Sequence, residues 1–335
     1  MTRTFSRSAV ALMLAIVFAP WSPAQQSPQS QEPQARTPDQ DQPIRIQVQL
    51  VNLFATIRDA KRRPVPDLAR EELRVFEDGK EQKIEFFRRE VDLPITLGLL
   101  IDTSGSEKQM LPVEQEAASR FLRRVLGPND LAMVISFDVD VDLLSDFTGD
   151  VDRLERAIQR ARINAPYSPV TPGPVPPHLL SGGTNFYDAL YLACTEKLAR
   201  ETGRKAIVVI TDAMDTGSKV REEQALEACQ RTNTVIHVIL IADPGFGRDS
   251  GTANKFARET GGRVMEPSTH WDMNKAFEKL GEAFDQVAEE LRSQYIIGYT
   301  PANSARDGSY RKIKLESTRK GMRILTRKGY YAPKN

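Results

Sequence analysis

Cysteine, histidine and tryptophan are scarce in this chain, with 2, 3 and 2 residues among 335. Two cysteines can close at most one bridge, which excludes a disulfide-stapled scaffold and a thiolate metal cluster. His178, His237 and His270 stand far apart without metal-ligand spacing, so an imidazole metal centre is excluded too; His237, inside an apolar run, reads as a core histidine. Neither sign of charge is in excess: Lys+Arg 46 against Asp+Glu 45 leaves a net charge of +1, and no global field draws the chain to nucleic acid or anionic lipid. Long apolar runs are also missing. The stretch Ala9 to Ala19 is too short for a comfortable membrane span.

What is present is an ordered succession of segments. Arg3 and Arg7 precede that apolar stretch, and Ser22-Pro23-Ala24 offers small residues where a signal peptidase reads, so residues 1–24 read as an export signal, with an uncleaved anchor as the alternative. Residues 25–43, rich in Gln, Pro, Ser and Asp, cannot bury enough surface to offset ordering entropy and read as a tether. From 44 to 92 the residues alternate in the strand period, with Ile46, Val48 and Leu50 and then, after a one-residue phase shift, Leu53, Ala55 and Ile57; Asp78-Gly79 marks a hairpin turn. Residues 292–335 repeat the habit in "QYIIGYTP", "YRKIKLES" and "MRILTRKGYY". Neither β piece is long enough for a secure core, which predicts one discontinuous β module built from both ends.

Residues 93–291 change period. "ITLGLLID", "LAMVISF", "KAIVVITD" and "TVIHVILIA" are β-branched and apolar on consecutive residues, as strands covered on both faces are. Amphipathic stretches lie between them, among them Ala117 to Val125, Val151 to Ala161, Phe186 to Leu198 and Glu222 to Cys229. The alternation predicts an α/β class: a doubly wound, mostly parallel sheet in three layers, whose ligands sit beyond the carboxyl ends of the strands.

Those strand ends carry the chemistry. One strand ends in Asp102 followed by Ser104 and Ser106; "SGGTNF" sets Thr184 at the mouth of a helix; "VVITD" ends in Asp212. Two carboxylates and three hydroxyls, with no thiol or imidazole, suit a hard divalent cation, Mg²⁺ first and Mn²⁺ or Ca²⁺ next. Taken together, Asp102, Ser104, Ser106, Thr184 and Asp212 resemble the metal-ion-dependent adhesion site of von Willebrand factor type A domains. The order of segments and the terminal "GYYA" are similar to bacterial von Willebrand factor A-related proteins, often found in Acidobacteria. The resemblance implies that Ser104 and Ser106 bind the metal directly, Thr184 directly or through water, and Asp102 and Asp212 largely through water or hydrogen bonds. It departs at Ala213-Met214-Asp215, where a glycine is usual, which makes Asp215 a candidate auxiliary ligand.

A cation held by neutral hydroxyls keeps much of its charge and an exchangeable water, so the site favours binding an acidic side chain of a protein partner over catalysis. The alternative is a Mg²⁺-dependent haloacid-dehalogenase-like phosphotransferase with Asp102 as nucleophile; Ser104 then stands where the acid/base should be and cannot protonate a leaving group. Asp138, Asp140 and Asp142 alternate like calcium-loop ligands, but Leu143 and Gly149 occupy the positions that need glycine and a bidentate glutamate, so they read as a solvated strand face. The Pro-rich insert from Pro166 to Pro177 should overhang the metal. Cys194 and Cys229, on helices that should share one face of the sheet, read equally as a bridge or as two buried thiols. The expectation is an exported, non-enzymatic, metal-dependent binding protein.

Overall fold

The computed structural model describes residues 50–334 other than 62, 91–92, 164–182, 244 and 269–271. The expected export signal and tether, the Pro-rich insert, His178 and His270 lie outside the described residues.

The strand-rich N-terminal part forms β1 (Val51–Arg58), β2 (Leu73–Glu77), β3 (Lys80–Gln82) and β4 (Ile84–Glu90). The β2–β3 turn is Asp78-Gly79, both at positive φ (48° and 81°), as a two-residue hairpin of this hand requires. The buried set of β1 is Val51, Leu53, Ala55 and Ile57, while Leu50 is 44% exposed. Leu50 precedes the strand, and the buried alternation starts at Val51, on the far side of the phase shift read from the sequence.

The centre alternates strands and helices: β5 (Ile95–Asp102), α1 (Leu111–Val125), β6 (Leu131–Phe137), β7 (Val141–Thr148), α2 (Val151–Ile158), α3 (Phe186–Leu192), β8 (Arg204–Thr211), α4 (Glu222–Arg231), β9 (Thr234–Leu240), α5 (Ser250–Thr260), β10 (Val264–Met265) and α6 (Met273–Arg292). Helix starts are written locally. Asp150 accepts a hydrogen bond from the Arg153 N–H (3.0 Å), Asp249 from Thr252 (2.9 Å) and Asp272 from Asn274 (3.0 Å), each satisfying a donor that the first turn cannot. The sheet runs β10-β9-β8-β5-β6-β7, parallel except for β7. All eight residues of β5 are buried because both faces are covered. One face packs on α1, α2 and α6, where Phe121 and Phe284 stack at 4.8 Å. The other packs on α3, α4 and α5, where the Phe186 and Phe256 rings meet edge to face at 5.6 Å. Cys194, in a π-helical turn that continues α3, and Cys229 of α4 are buried free thiols in this second core.

After α6 the chain returns through β11 (Gln294–Tyr299), β12 (Tyr310–Ser317), β13 (Arg323–Leu325) and β14 (Gly329–Tyr331). The termini share two four-stranded sheets, ordered β13-β1-β11-β4 and β14-β12-β2-β3. β11 lies between β1 and β4, antiparallel to both. "MRILTRKGYY", expected as one strand, is divided between the two sheets: β13 pairs with β1 and β14 with β12. Gly329 makes the crossing, where a Cβ would come within 2.4 Å of the Arg311 carbonyl oxygen. The module joins the central sheet through buried charge. Glu290 of α6 meets Arg58 of β1 at 3.3 Å and Arg263 at 3.0 Å, with His237 Nδ1 of β9 at 3.5 Å. His237 is a core residue, as expected, and burial holds its pKa below the usual histidine value.

Candidate metal centre

The parallel strands β5, β6 and β8 end together, and the residues that follow them are drawn into one hydrogen-bonded cluster. Asp102 is the last residue of β5 and is fully buried. Its Oδ1 accepts the Ser104 N–H at 2.9 Å, which bends the chain away from the sheet, and its Oδ2 accepts the Thr211 hydroxyl at 2.6 Å. The short turn Gly105–Glu107 then lifts Ser106 to the outer side, where it is half-buried. The Ser104 and Ser106 Oγ atoms lie 3.0 Å apart, and Ser106 Oγ donates to Asp212 Oδ2 at 2.7 Å. Ser104, Ser106 and Asp212 are thus linked through their side-chain oxygens, and Asp102 joins them through the Ser104 N–H.

The electrostatics of this cluster are strained. Burial pushes the Asp102 carboxyl up to about 7, and the neighbouring Asp212 charge adds to it. Asp212 is also raised by burial, against hydrogen bonds from Met214 N–H and Ser106.

Thr184 sits in the adjoining segment. Its backbone N–H donates to Thr216 Oγ1 at 2.9 Å, its carbonyl accepts from the Thr216 and Gly217 N–H groups, and Asn185 N–H donates to the Asp138 carbonyl at 2.7 Å. These contacts wedge the segment between the end of β6 and the loop after β8. No hydrogen bond among the described residues joins Thr184 itself to the other four.

The departure at Ala213 has a defined form. Ala213 adopts φ 60°, the left-handed region where glycine would be at ease, and is held there because its N–H donates to Thr211 Oγ1 at 2.9 Å while Met214 N–H donates to Asp212 Oδ1 at 2.9 Å. Asp215 is engaged elsewhere: it accepts from Tyr187 N–H and from Ser218, tying the loop to the start of α3. Asp138 takes a structural part, accepting the Thr103 hydroxyl at 2.8 Å, whereas Asp140 and Asp142 are exposed.

Three carboxylates nearby were not singled out from the sequence. Asp243, just past β9, accepts the Gln109 N–H (2.8 Å) and the Met110 N–H (2.9 Å), and its own N–H donates to the Ser106 carbonyl at 2.8 Å, so it pins the turn that carries both serines. Its signal was legible, since it ends an apolar strand run as Asp102 and Asp212 do. Glu107 and Glu114 are fully buried beneath the turn. Asp102, Glu107 and Asp212 each bring a carboxylate oxygen within 4.8 Å of the other two.

Residues 97–215, which hold all of these but Asp243, match the profile of the von Willebrand factor type A domain. The chain carries a von Willebrand factor type A domain. A comparison with curated proteins gives no match. Among solved structures, the chain is similar to BatB from Bacteroides thetaiotaomicron, at 18% identity and TM-score 0.43 over 58% of this chain and 99% of that one. It is similar to the SpRpn10 VWA domain at 15% identity and TM-score 0.40, over 58% and 95%. It also resembles proximal thread matrix protein 1 from the mussel byssus with a zinc-occupied MIDAS motif, at 15% identity and TM-score 0.46, over 64% of this chain and 49% of that one. The matched residues include Asp102, Glu107 and Asp212, the acidic cluster at the carboxyl edge of the sheet. No helix among the described residues is long and apolar enough to cross a membrane.

Proposed function

We propose that this chain is an exported, non-enzymatic binding protein whose von Willebrand factor type A domain holds a divalent cation at Asp102, Ser104, Ser106, Thr184 and Asp212 and offers it to an acidic side chain of a protein partner. The observation that carries the reading is the pair of serine hydroxyls, 3.0 Å apart, tied to buried Asp212 through Ser106 and to buried Asp102 through the Ser104 N–H. Two carboxylates this deep repel each other and lack hydration, a cost that a bound cation relieves. An all-oxygen donor set fits Mg²⁺ first, with Mn²⁺ or Ca²⁺ as substitutes. The cation would supply a charged docking point with an exchangeable water; the half-buried Ser106 lies on the side open to a partner. Export is supported by the basic, apolar and small-residue succession of residues 1–24. The phosphotransferase alternative gains no support, because Ser104, at the position of the required acid, already bonds to Ser106.

The test is calorimetric titration of Mg²⁺ or Mn²⁺ into the wild type and Asp102→Ala, paired with capture of envelope proteins with and without EDTA. The variant should remain folded and lose the metal, and capture should require the ion. Unchanged metal affinity in the folded variant removes the assignment, and metal-independent capture removes the binding role.

A further inference from the structure

The cluster contains a carboxylate that neither the serine chain nor the capping network uses. Glu107 follows Ser106 directly, yet its side chain turns inward and is 0% exposed. No N–H or hydroxyl donor among the described residues reaches its carboxylate oxygens; their one polar neighbour is the carboxyl of Glu114, equally buried in the first turn of α1, with which a proton can be shared. The helix start offers no relief, since the Gln109 and Met110 N–H groups are both taken by Asp243. Two carboxyls buried against each other, with no donor besides a proton shared between them, are costly to ionise in the absence of a cation. One oxygen of Glu107 nonetheless lies within 4.8 Å of ligand oxygens of Asp102 and Asp212, whereas Glu114 does not join that group. A fully buried side chain whose only polar neighbour is another carboxyl thus reaches into the cluster.

We propose that Glu107 is a further direct ligand of the cation, closing a three-carboxylate cradle with Asp102 and Asp212 from below, so that the domain retains its ion before a partner docks. This deepens the metal-binding reading above and rests on it. Oxygens within 4.8 Å of one another can all reach one ion at the 2.0–2.6 Å typical of hard cations, about half the separation between opposed ligands. A third anionic ligand raises the intrinsic affinity and lowers the residual charge left for the partner. The domain therefore binds metal in its own right.

The experiment is titration of Mn²⁺ into the whole protein, with no partner present, following free Mn²⁺ by electron paramagnetic resonance for wild type, Glu107→Gln, Glu114→Gln and Asp102→Ala, each checked for folding by circular dichroism. Wild type should bind one ion. Glu107→Gln, which keeps the shape and removes the charge, should weaken binding about tenfold or more, while Glu114→Gln stays within about threefold. Wild-type affinity in Glu107→Gln overturns the proposal while leaving the site standing, provided that Asp102→Ala loses the ion. Equal losses in Glu107→Gln and Glu114→Gln assign the effect to packing under the turn and overturn it as well. If the wild type binds no Mn²⁺, or Asp102→Ala binds it as tightly as wild type, the metal-binding reading falls and takes this proposal with it.

Discussion

Asp102 concentrates the behaviour of the site in one carboxyl group. Its pKa is pushed up to about 7 by burial and by Asp212, far above the ordinary 3.8. A carboxyl group raised in the folded state binds its proton more tightly there than in the unfolded chain, so the stability it contributes is present below about pH 4 and lost as pH rises through about 7. A cation competes for the same oxygens and gains as the proton leaves. The rise in melting temperature caused by saturating Mg²⁺ should therefore be small at about pH 5.5 and grow through about pH 7.5, and Asp102→Asn should flatten the profile. Thermal unfolding across that range checks it; an equal Mg²⁺ effect at both ends would contradict the link between this proton and the ion. Thr211 belongs to the same residue-scale device. Its hydroxyl donates to Asp102 and accepts from Ala213 N–H, so one buried oxygen fixes both that carboxylate and the left-handed turn beside it.

The element that matters most is the turn from Ser104 to Met110, between the end of β5 and the start of α1. It is suspended from Asp243 at the end of β9 through two N–H groups and one carbonyl. Asp243→Ala removes a buried charged acceptor and leaves two donors unpaired, which should cost about 1–3 kcal/mol. The urea midpoint should fall with an unchanged slope, and metal affinity should fall with it because both serines ride on this turn; a variant matching wild type in both respects would show that the turn holds itself. At this scale the sequence was uneven. That Asp102, Ser104, Ser106 and Asp212 come together was legible, because strand-ending polar residues interrupt apolar runs and parallel strands end side by side. Glu107 was not, since an acidic residue just before a helix ordinarily faces water beside the helix dipole, and only the tertiary position of α1 turns it inward. Glu114, in the first turn of α1, hides for the same reason. Asp215 misled in the opposite direction: its composition suited a ligand, but the start of α3 claims it.

Across the whole molecule, the alternation of apolar runs and amphipathic stretches was sufficient to predict the three-layered sheet, because each strand is buried on both faces and reads so. The pairing of the two chain ends was also legible, as two β pieces too small to stand alone. What local pattern could not give was their partition into two sheets, which hangs on close backbone approaches such as that at Gly329. A chain ending at Arg292 should lose β11, leaving β1 and β4 with open edges and Phe87 without Tyr295, on which it stacks at 5.3 Å. Light scattering on that shortened protein should reveal association; a monomer whose β1 amides remain protected in hydrogen exchange would show that the ends fold independently. The central place of β11 also sets a timetable. Val51 pairs with Tyr299, whereas the strands of the central sheet are complete by Met265. At roughly 5–20 residues per second, synthesis needs on the order of ten to fifty seconds to pass from one partner to the other, and throughout that interval β1 is an unpaired strand on a growing chain. The central sheet thus has its strands in hand first, and β1 and β4 can close into their own sheet only after β11 has followed them out of the ribosome.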